Sequence, residues 1–345
     1  MTAPALDFAL PPELERGVPR RRRDDVRLMV GSRAGLGIVD TTFARLPDFL
    51  RSGDVLVINT SATLPAAVDA LAQTDEQSGE RVVVHFSSRF PNGTWTVEVR
   101  HPQGLGSRRY PDFAGGRLQL EGGGAIRTLG RHPVATRLWV VRVDIPADFH
   151  DYLQLYGRPI RYGHSGGNWP LEAYQTVYAR QVGSAEMPSA GRPFTTKILT
   201  DLLAGGVAVL PVVLHAGVSS LEEGEHPAEE YFEVPEATAI TANALRSAGG
   251  RLLAAGTTVV RALESVANES GALQAATGYT DLLIQSSSAL RAIDGLLTGW
   301  HEPKASHLDL VEAIAGRQLM ELMYRKAVDD GYAWHEFGDS CLILP

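Results

Sequence analysis

Residues that could bind or activate a small molecule are concentrated in a few short segments of this chain. Residues 184–196 read Ser-Ala-Glu-Met-Pro-Ser-Ala-Gly-Arg-Pro-Phe-Thr-Thr, so small side chains and prolines lead from a turn into a predicted helix. The first backbone amides of a helix have no intrahelical acceptor and can bind a carboxylate or a phosphate. The side chains expected to form one wall of a pocket are Ser189, Ala190, Gly191, Phe194 and Thr195.

A second helix start is expected where Gly256-Thr257-Thr258 follows a predicted strand, with Arg261 one turn further on. Gly256 lets the backbone turn tightly, and either threonine can cap the helix. Free amides beside a guanidinium would make an anion site. An ordinary helix cap explains the same residues, and the pattern alone leaves both interpretations open.

Three side chains are candidates for acid–base chemistry: His215, His301 and Glu230. His215 follows a predicted strand, which is where open α/β sheets place ligand groups, and histidine titrates near neutral pH. Glu230 is the member of an acidic stretch, residues 222–233, that is most suited to face a pocket. A purely structural role stays open for each of the three.

Several other kinds of site are disfavoured. His301, Glu302 and His307 are too poorly spaced for a metal centre, so no metal is expected. The chain lacks a Gly-x-Gly-x-x-Gly signature, a phosphate-binding P-loop and a Gly-x-Ser-x-Gly nucleophile elbow. A Rossmann methyltransferase and a serine hydrolase are therefore disfavoured.

The secondary structure predicted to position these residues is of two kinds along the chain. Short alternating strands with Gly-rich turns fill residues 66–150 and predict a small antiparallel β-barrel or β-sandwich, inserted into the rest of the chain. Helices and strands alternate elsewhere, so residues 1–65 and 151–345 are expected to form one large mixed α/β, barrel-like domain that carries the site. Within it we predict strands at 207–214 and 280–284 and a long helix from Ser306 to about residue 328, with Ser306 and Asp309 as a capping box. Pro211 predicts an edge or bulged position for its strand.

Composition restricts the cellular setting. The chain has 345 residues, a net charge of −8 and one cysteine, Cys341, and it shows no signal-peptide segment or membrane-length apolar run. We expect a cytoplasmic monomer without membrane association. Its global charge gives no support for nucleic-acid binding, although a local basic groove is compatible with it.

Ordered segments along nearly the whole chain resemble the S-adenosylmethionine:tRNA ribosyltransferase-isomerase family of queuosine biosynthesis. The segments are Asp7-Phe8-x-Leu10-Pro11, Gly53-Asp54-Val55-Leu56-Val57-Ile58-Asn59, Tyr174-Gln175-Thr176-Val177-Tyr178-Ala179, Pro188-Ser189-Ala190-Gly191-x-x-Phe194-Thr195, His215-x-Gly217, Gly256-Thr257-Thr258-x-x-Arg261, Asp294-x-Leu296-x-Thr298, His301-x-Pro303, Ala315-Gly316 and Phe337-Gly338-Asp339. Each segment is modest alone, and their shared order makes the resemblance specific.

The resemblance implies a large α/β domain with an inserted β-barrel. It also implies an enzyme that transfers and isomerises the ribosyl group of S-adenosylmethionine onto the aminomethyl group of a 7-deazaguanine in tRNA. Adenine and methionine leave, without a metal or redox cofactor. The residues implied to contact S-adenosylmethionine are Ser189, Ala190, Gly191, Phe194, Thr195, Gly256, Thr257, Thr258 and Arg261, and those implied to contact the acceptor are Asn59, Tyr174 and Gln175. Core packing is the alternative role for Tyr174.

Several motif positions differ from the family pattern. Asn59 is usually followed by Asp-Thr-Arg-Val and later by Pro-Ala-Arg, whereas here Ala62 and Ala67 replace both arginines. Since tRNA affinity depends on phosphate contacts, the lost arginines and the acidic balance argue against tRNA as the partner. Two alternatives therefore stand beside the ribosyltransferase: an enzyme of the same fold acting on another acceptor, and a non-catalytic S-adenosylmethionine- or RNA-binding paralogue.

Overall fold

The computed structural model describes residues 6–15, 17–74, 77–162, 167–218 and 227–345. The strands are β1 (Arg27–Ser32), β2 (Ile38–Thr42), β3 (Val55–Asn59), β4 (Ser61–Thr63), β5 (Ala67–Thr74), β6 (Gln77–Arg89), β7 (Trp95–Gln103), β8 (Gly106–Arg109), β9 (Arg117–Leu120), β10 (Ala125–Arg131), β11 (Leu138–Asp144), β12 (Gly157–Arg158), β13 (Gln181–Ser184), β14 (Ala208–Leu214), β15 (Glu230–Val234), β16 (Leu252–Ala255), β17 (Ala276–Thr280), β18 (Gly295–Gly299) and β19 (Ser340–Leu344). The α-helices are α1 (Phe149–Tyr156), α2 (Thr196–Ala204), α3 (Glu236–Ser247), α4 (Thr257–Glu264), α5 (His307–Ala315) and α6 (Arg317–Asp329).

A mixed nine-stranded sheet forms the centre of the molecule, in the order β17-β15-β14-β3-β16-β18-β19-β1-β2. Strand β3 lies between β14 and β16 and is parallel to both. All five of its residues are buried, which is why the sequence Val-Leu-Val-Ile-Asn is a nearly continuous apolar run rather than an alternating one.

Both faces of this sheet are covered. Val55 and Val57 of β3 belong to a core that includes α3, α4, α5 and α6, whereas Leu56 and Ile58 belong to a core shared with α2 and the 3-10 helix Phe43–Phe49. Successive strand residues point to opposite faces, so alternate members of one run supply two cores. The sheet is therefore held rigid where its strands end.

The second sheet closes on itself as a six-stranded antiparallel barrel. Strands β11, β10, β9, β5, β6 and β7 follow in order, and β11 pairs again with β7. The inward residues, such as Val84, Leu118 and Ile126, form a separate core to which α1 adds Phe149 and Tyr152. The predicted α/β fold with a small barrel is confirmed. The division at 66–150 stays a prediction, since α1 lies across its second boundary and packs on the barrel core.

Some local expectations were wrong. Strand β17 covers 276–280 rather than 280–284, and the predicted long helix is two helices broken at Gly316, whose φ and ψ are 74° and 150°. Ser306 has a helical backbone and makes no side-chain cap. Pro211 lies in an interior strand, but at that residue β14 pairs only with β3, so the missing N–H falls on the open side.

Among the helices of the described residues, none has the combination of length and apolar character that a membrane span requires.

Candidate active site

A cavity of about 760 Å³ lies between the nine-stranded sheet and the barrel and is called the main cavity here. It opens at the carboxyl ends of the parallel strands β16 and β18, which is where open α/β sheets bind ligands. Its lining from the sheet side includes Ser189, Ala190, Gly256, Thr257, Thr258, Thr298, Trp300 and His301, and its lining from the barrel side includes Arg100, Gln103, Ser107, Arg108 and Arg109.

The turn from β16 into α4 forms one wall of the main cavity. Gly256 adopts φ 105° and ψ 153°, a conformation open to glycine, and its amide donates to the carbonyl of Leu297 at 2.8 Å. The prediction that Thr257 or Thr258 caps this helix was wrong: neither side chain does so, and the Thr258 hydroxyl instead accepts from Asn59 Nδ2 at 3.2 Å. The amides of Thr257 and Thr258 therefore have no partner among the described residues and are available to an anion, whereas those of Val259 and Val260 donate to the Gly256 carbonyl.

Part of the wall predicted from residues 189–195 faces elsewhere. Phe194 is fully buried and packs edge-to-face on Phe43 at 5.1 Å, and Thr195 accepts from the Ile198 amide at 3.3 Å as the N-cap of α2. Gly191 is buried against the Tyr178 hydroxyl, where a Cβ would overlap. Only Ser189 and Ala190 of this set line the main cavity. The other three support that wall from behind.

His301 lies on the cavity wall just after β18. Its Nε2 is 3.1 Å from the Thr298 hydroxyl, and its ring stacks on that of His307 with centroids 4.9 Å apart. Nδ1 of His301 has no hydrogen-bond partner among the described residues. Burial, and then the charge of His307, lowers the pKa of His301 to about 3, and burial first lowers that of His307 to about 4. Both rings are therefore neutral at neutral pH.

His215 does not line the main cavity but a second one of about 370 Å³, called the aromatic cavity here. Its Nδ1 lies 2.8 Å from the Ser61 hydroxyl, which is 2.6 Å from the Ser184 hydroxyl, and the latter accepts from the Ala216 amide. Both hydroxyl hydrogens are used when Ser184 donates to Ser61 and Ser61 donates to Nδ1. We therefore assign the imidazole hydrogen to Nε2.

Burial, with a smaller effect of His150, lowers the pKa of His215 to about 4, so the ring is neutral. A neutral imidazole that accepts at Nδ1 is a hydrogen-bond donor at Nε2 and cannot take up a proton there. This arrangement speaks for a positioning role for His215 rather than for the base predicted from the sequence.

Glu230 and Arg261 are occupied with each other. The guanidinium of Arg261 is paired with one carboxylate oxygen of Glu230 and also donates to the carbonyls of Leu282 and Thr280. The other carboxylate oxygen accepts from the Gly217 amide at 2.6 Å. Neither side chain lines the main cavity. Arg261 is thus engaged by the protein itself, and the pair fixes β15, α4 and the segment after His215 relative to one another.

The three predicted acceptor-binding residues also have structural partners. Asn59 is buried and bonds through its amide to both the N–H and the carbonyl of Leu214, and Gln175 pairs in the same way with Thr63. Tyr174 packs on Phe337 at 5.3 Å and does line the main cavity. Of these three, only Tyr174 can contact a ligand in the main cavity directly.

The sequence did not single out several cavity residues. Arg108 and Arg109 come from β8 of the barrel, and Trp300 contributes a buried indole nitrogen that has no partner in the part of the chain described. Trp300 directly precedes the predicted site residue His301 in the sequence, whereas the arginines carried no signal beyond being a basic pair after Gly106. Within the described ranges, no three His, Cys, Asp or Glu side chains are grouped so as to hold a metal ion.

The chain is similar to known proteins over its full length. Residues 4–343 match the model of a family described as queuosine biosynthesis protein. The chain belongs to this family. Proteins called S-adenosylmethionine:tRNA ribosyltransferase-isomerase are 37% identical in Symbiobacterium thermophilum, with 98% of each chain covered, and 33% identical in Geobacter sulfurreducens, with 100% of each covered.

A solved structure extends this likeness to three dimensions. The crystal structure of the S-adenosylmethionine tRNA ribosyltransferase from Thermotoga maritima is 28% identical to this chain, with a TM-score of 0.55. It covers 98% of this chain and 99% of its own. The family resemblance seen in the sequence is confirmed.

Proposed function

We propose that this chain is an S-adenosylmethionine:tRNA ribosyltransferase-isomerase whose reaction takes place in the main cavity. The observation that carries the proposal is that motif segments far apart in the sequence, 189–190, 256–258 and 298–301, line one cavity. Full-length relatives at 33–37% identity bear that name. We further propose that the enzyme acts as a cytoplasmic monomer, with 66–150 as an inserted barrel domain.

S-adenosylmethionine would bind with its methionine carboxylate on the first-turn amides of α4, beside Gly256. These amides carry partial positive charge, which favours an anion. Glu186 and Glu302 line the same cavity and would attract the ammonium and sulfonium charges of the ligand. This arrangement gives the helix start the anion-binding role that the sequence had assigned jointly to Arg261.

The chemistry would begin at the ribose. The sulfonium acidifies the hydrogens on C5′. His301 lines the cavity, and its Nδ1 would remove one of them when the imidazole hydrogen is on Nε2 and donates to Thr298. The electron pair left on C5′ would form a C4′–C5′ double bond as the C4′–O4′ bond breaks, and the freed O4′ would become a C1′ carbonyl as the bond to adenine breaks. The acceptor amine would add to C4′ and lose a proton, and the electron pair returned to C5′ would bond to C1′ and close the five-carbon ring. The alkoxide left on C1′ would then attack C5′, which closes the epoxide, breaks the C5′–S bond and releases methionine.

A tRNA acceptor is supported by the side of the cavity that the barrel forms. The alanines that replace family arginines, Ala62 and Ala67, are buried, so side chains at these positions are not in contact with solvent. Arg108 and Arg109 line the main cavity from β8 instead. Guanidinium groups at a cavity mouth can hold RNA phosphates, and for this reason we prefer tRNA over a small-molecule acceptor.

The test is release of adenine and methionine from S-adenosylmethionine, measured with tRNA that carries 7-aminomethyl-7-deazaguanine. The matched control is the same tRNA with guanine at that position. We expect release only with the modified tRNA, together with a mass gain on that RNA. Binding of S-adenosylmethionine without release on either RNA would contradict the proposal, and release without any RNA would point to a different acceptor.

A further inference from the structure

The aromatic cavity adjoins the main cavity. Gly183 and His215 line the aromatic cavity, whereas Ala185 and Ala216, close by in the same two segments, line the main cavity. The two spaces are thus separated by segments 183–185 and 215–216. A volume of about 370 Å³ is at the small end of ligand pockets and suits one planar base with part of its sugar.

A continuous series of ring faces lines this cavity. Phe90 and Tyr279 are stacked with centroids 5.5 Å apart and an angle of 27°, and Tyr279 meets Tyr231 edge-to-face at 5.8 Å. Tyr231 in turn stacks on His215 at 5.2 Å and 24°. Tyr279 is 36% exposed, so ring surface is accessible to a ligand. Unpaired nucleobases bind to proteins by stacking on such surfaces.

Two polar groups could read the edge of a stacked base. Ser88 lines the cavity and is only 7% exposed, and its hydroxyl oxygen is buried without a hydrogen-bond partner in the part of the chain described. A buried hydroxyl without a partner is costly and rare in native proteins. His215, which lines the same space, carries its hydrogen on Nε2 in the tautomer assigned above. One ligand that hydrogen-bonds along an edge would use both groups.

The charge of the lining fits RNA. None of the described lining residues is an aspartate or glutamate, although the chain carries a net charge of −8. Arg89 is exposed at this cavity, with its guanidinium 5.8 Å from the Trp95 ring, and His150 lies nearby. Local absence of negative charge together with an exposed arginine permits a phosphate to approach.

We propose that the aromatic cavity binds an unpaired nucleobase of the RNA substrate that flanks the reacting nucleotide. The choice of RNA over another aromatic ligand rests on the proposed function. The reacting base itself belongs in the main cavity, because the wall of segments 183–185 and 215–216 separates the aromatic cavity from Gly256. The flanking base would hold the RNA in register while its neighbour reacts.

The experiment uses a tRNA anticodon stem–loop with fluorescent 2-aminopurine placed in turn at each loop position. We expect one position at which binding changes the fluorescence strongly through stacking on protein rings. Tyr279→Leu should weaken RNA binding roughly 5- to 150-fold and remove that change, since a stacked base contributes about 1–3 kcal/mol. Ser88→Ala should cause a smaller loss, and Tyr279→Phe should retain binding because it keeps the ring.

The matched control is Tyr156→Leu, which removes a tyrosine of similar exposure, 37%, outside both cavities. Binding of S-adenosylmethionine, measured by calorimetry, should be unchanged in all variants. Equal RNA affinity and fluorescence for Tyr279→Leu, Ser88→Ala and the control would overturn the proposal. Stacking that persists without any release of adenine would refute the proposed function alone, and failure of the wild-type chain to bind the stem–loop would refute both.

Discussion

His301 illustrates how the surroundings of one residue set the pH range in which it can work. Burial and the neighbouring His307 lower its pKa to about 3, far below the ordinary 6.5. His301 must be neutral to accept a proton, and with this pKa its ring is already neutral well below pH 6.5. We expect kcat/KM to show no acidic inflection near pH 6.5, which a pH–rate profile with modified tRNA would measure.

The same residue gives a direct test of the proposed chemistry. His301→Asn should lower kcat about 10²-fold, the low end of the usual contribution of a positioned acid–base group, because a ring with a pKa of about 3 is a weak base. Its affinity for S-adenosylmethionine should change little. His101→Asn, in a barrel histidine that lines neither cavity, is the control. An inflection near 6.5 that disappears in His301→Asn would contradict the buried environment described for this ring.

The lowered pKa of His215 predicts how the stability of the protein depends on pH. Its folded pKa is lowered to about 4 from 6.5, so below pH 6.5 the unfolded state binds the proton that the folded state excludes. The free energy of unfolding should therefore fall as pH decreases from about 6.5 to about 4. In His215→Asn this fall should be smaller, as judged from urea unfolding at a series of pH values. An unchanged pH dependence would show that His215 titrates normally.

The sequence pattern predicted several residues of the main cavity correctly, but it did not predict the direction in which every side chain faces. Ser189, Gly256 and His301 line the main cavity, because helix starts and strand ends do lie where a sheet binds ligands. The same pattern could not show which way a side chain faces, so Phe194 and Thr195 were placed with them although one packs in a core and the other caps a helix.

At the scale of elements, the break between α5 and α6 is the most testable feature. Gly316 has φ 74° and ψ 150°, a region that L side chains scarcely adopt, although a Cβ there would contact nothing within 4 Å. Gly316→Ala should therefore cost about 1–3 kcal/mol of unfolding free energy through backbone strain alone. Chemical denaturation would measure it.

Gly37 supplies the matched control, since a Cβ there also meets nothing within 4 Å and its φ lies outside the left-handed range. Gly37→Ala should leave stability unchanged or slightly raised, because the substitution restricts only the unfolded chain. Equal effects of the two substitutions would mean that α5 and α6 can continue as one helix. That continuous helix is what the periodicity of residues 306–328 alone predicted, since an apolar stripe does not record a single positive φ.

At the scale of the whole molecule, Arg108 and Arg109 place positive charge at one side of the main cavity, although the protein has a net charge of −8. Arg108 is exposed, lines the main cavity and belongs to the barrel, whereas its neighbours across the cavity belong to the sheet. The sequence could not reveal this juxtaposition, because residue 108 belongs to the barrel and residue 256 follows a strand of the separate nine-stranded sheet. The short alternating strands after residue 66 did predict a small antiparallel β-barrel or sandwich, since strand alternation is a local property, and the family resemblance selected the barrel.

Arg108→Ala should weaken tRNA binding several-fold and reduce the slope of log affinity against log salt by about 0.7 to 0.9, the value for one phosphate contact. Fluorescence anisotropy over a salt series would measure both. Arg127→Ala, an exposed barrel arginine that lines neither cavity, should leave the slope unchanged. A wild-type slope in Arg108→Ala would remove this arginine from the RNA interface.

Strand pairing also has a consequence for the order in which a ribosome can complete this protein. The barrel strands lie between residues 67 and 144 and pair among themselves, so the barrel can close early in translation. Strand β1 pairs in parallel with β19, and Arg27 bonds to Asp339 across 312 residues. Strand β1 can therefore pair with β19 only after residue 340 and those that follow have been synthesised. A chain released before residue 340 would carry a finished barrel and an open sheet edge, which is a template for aggregation.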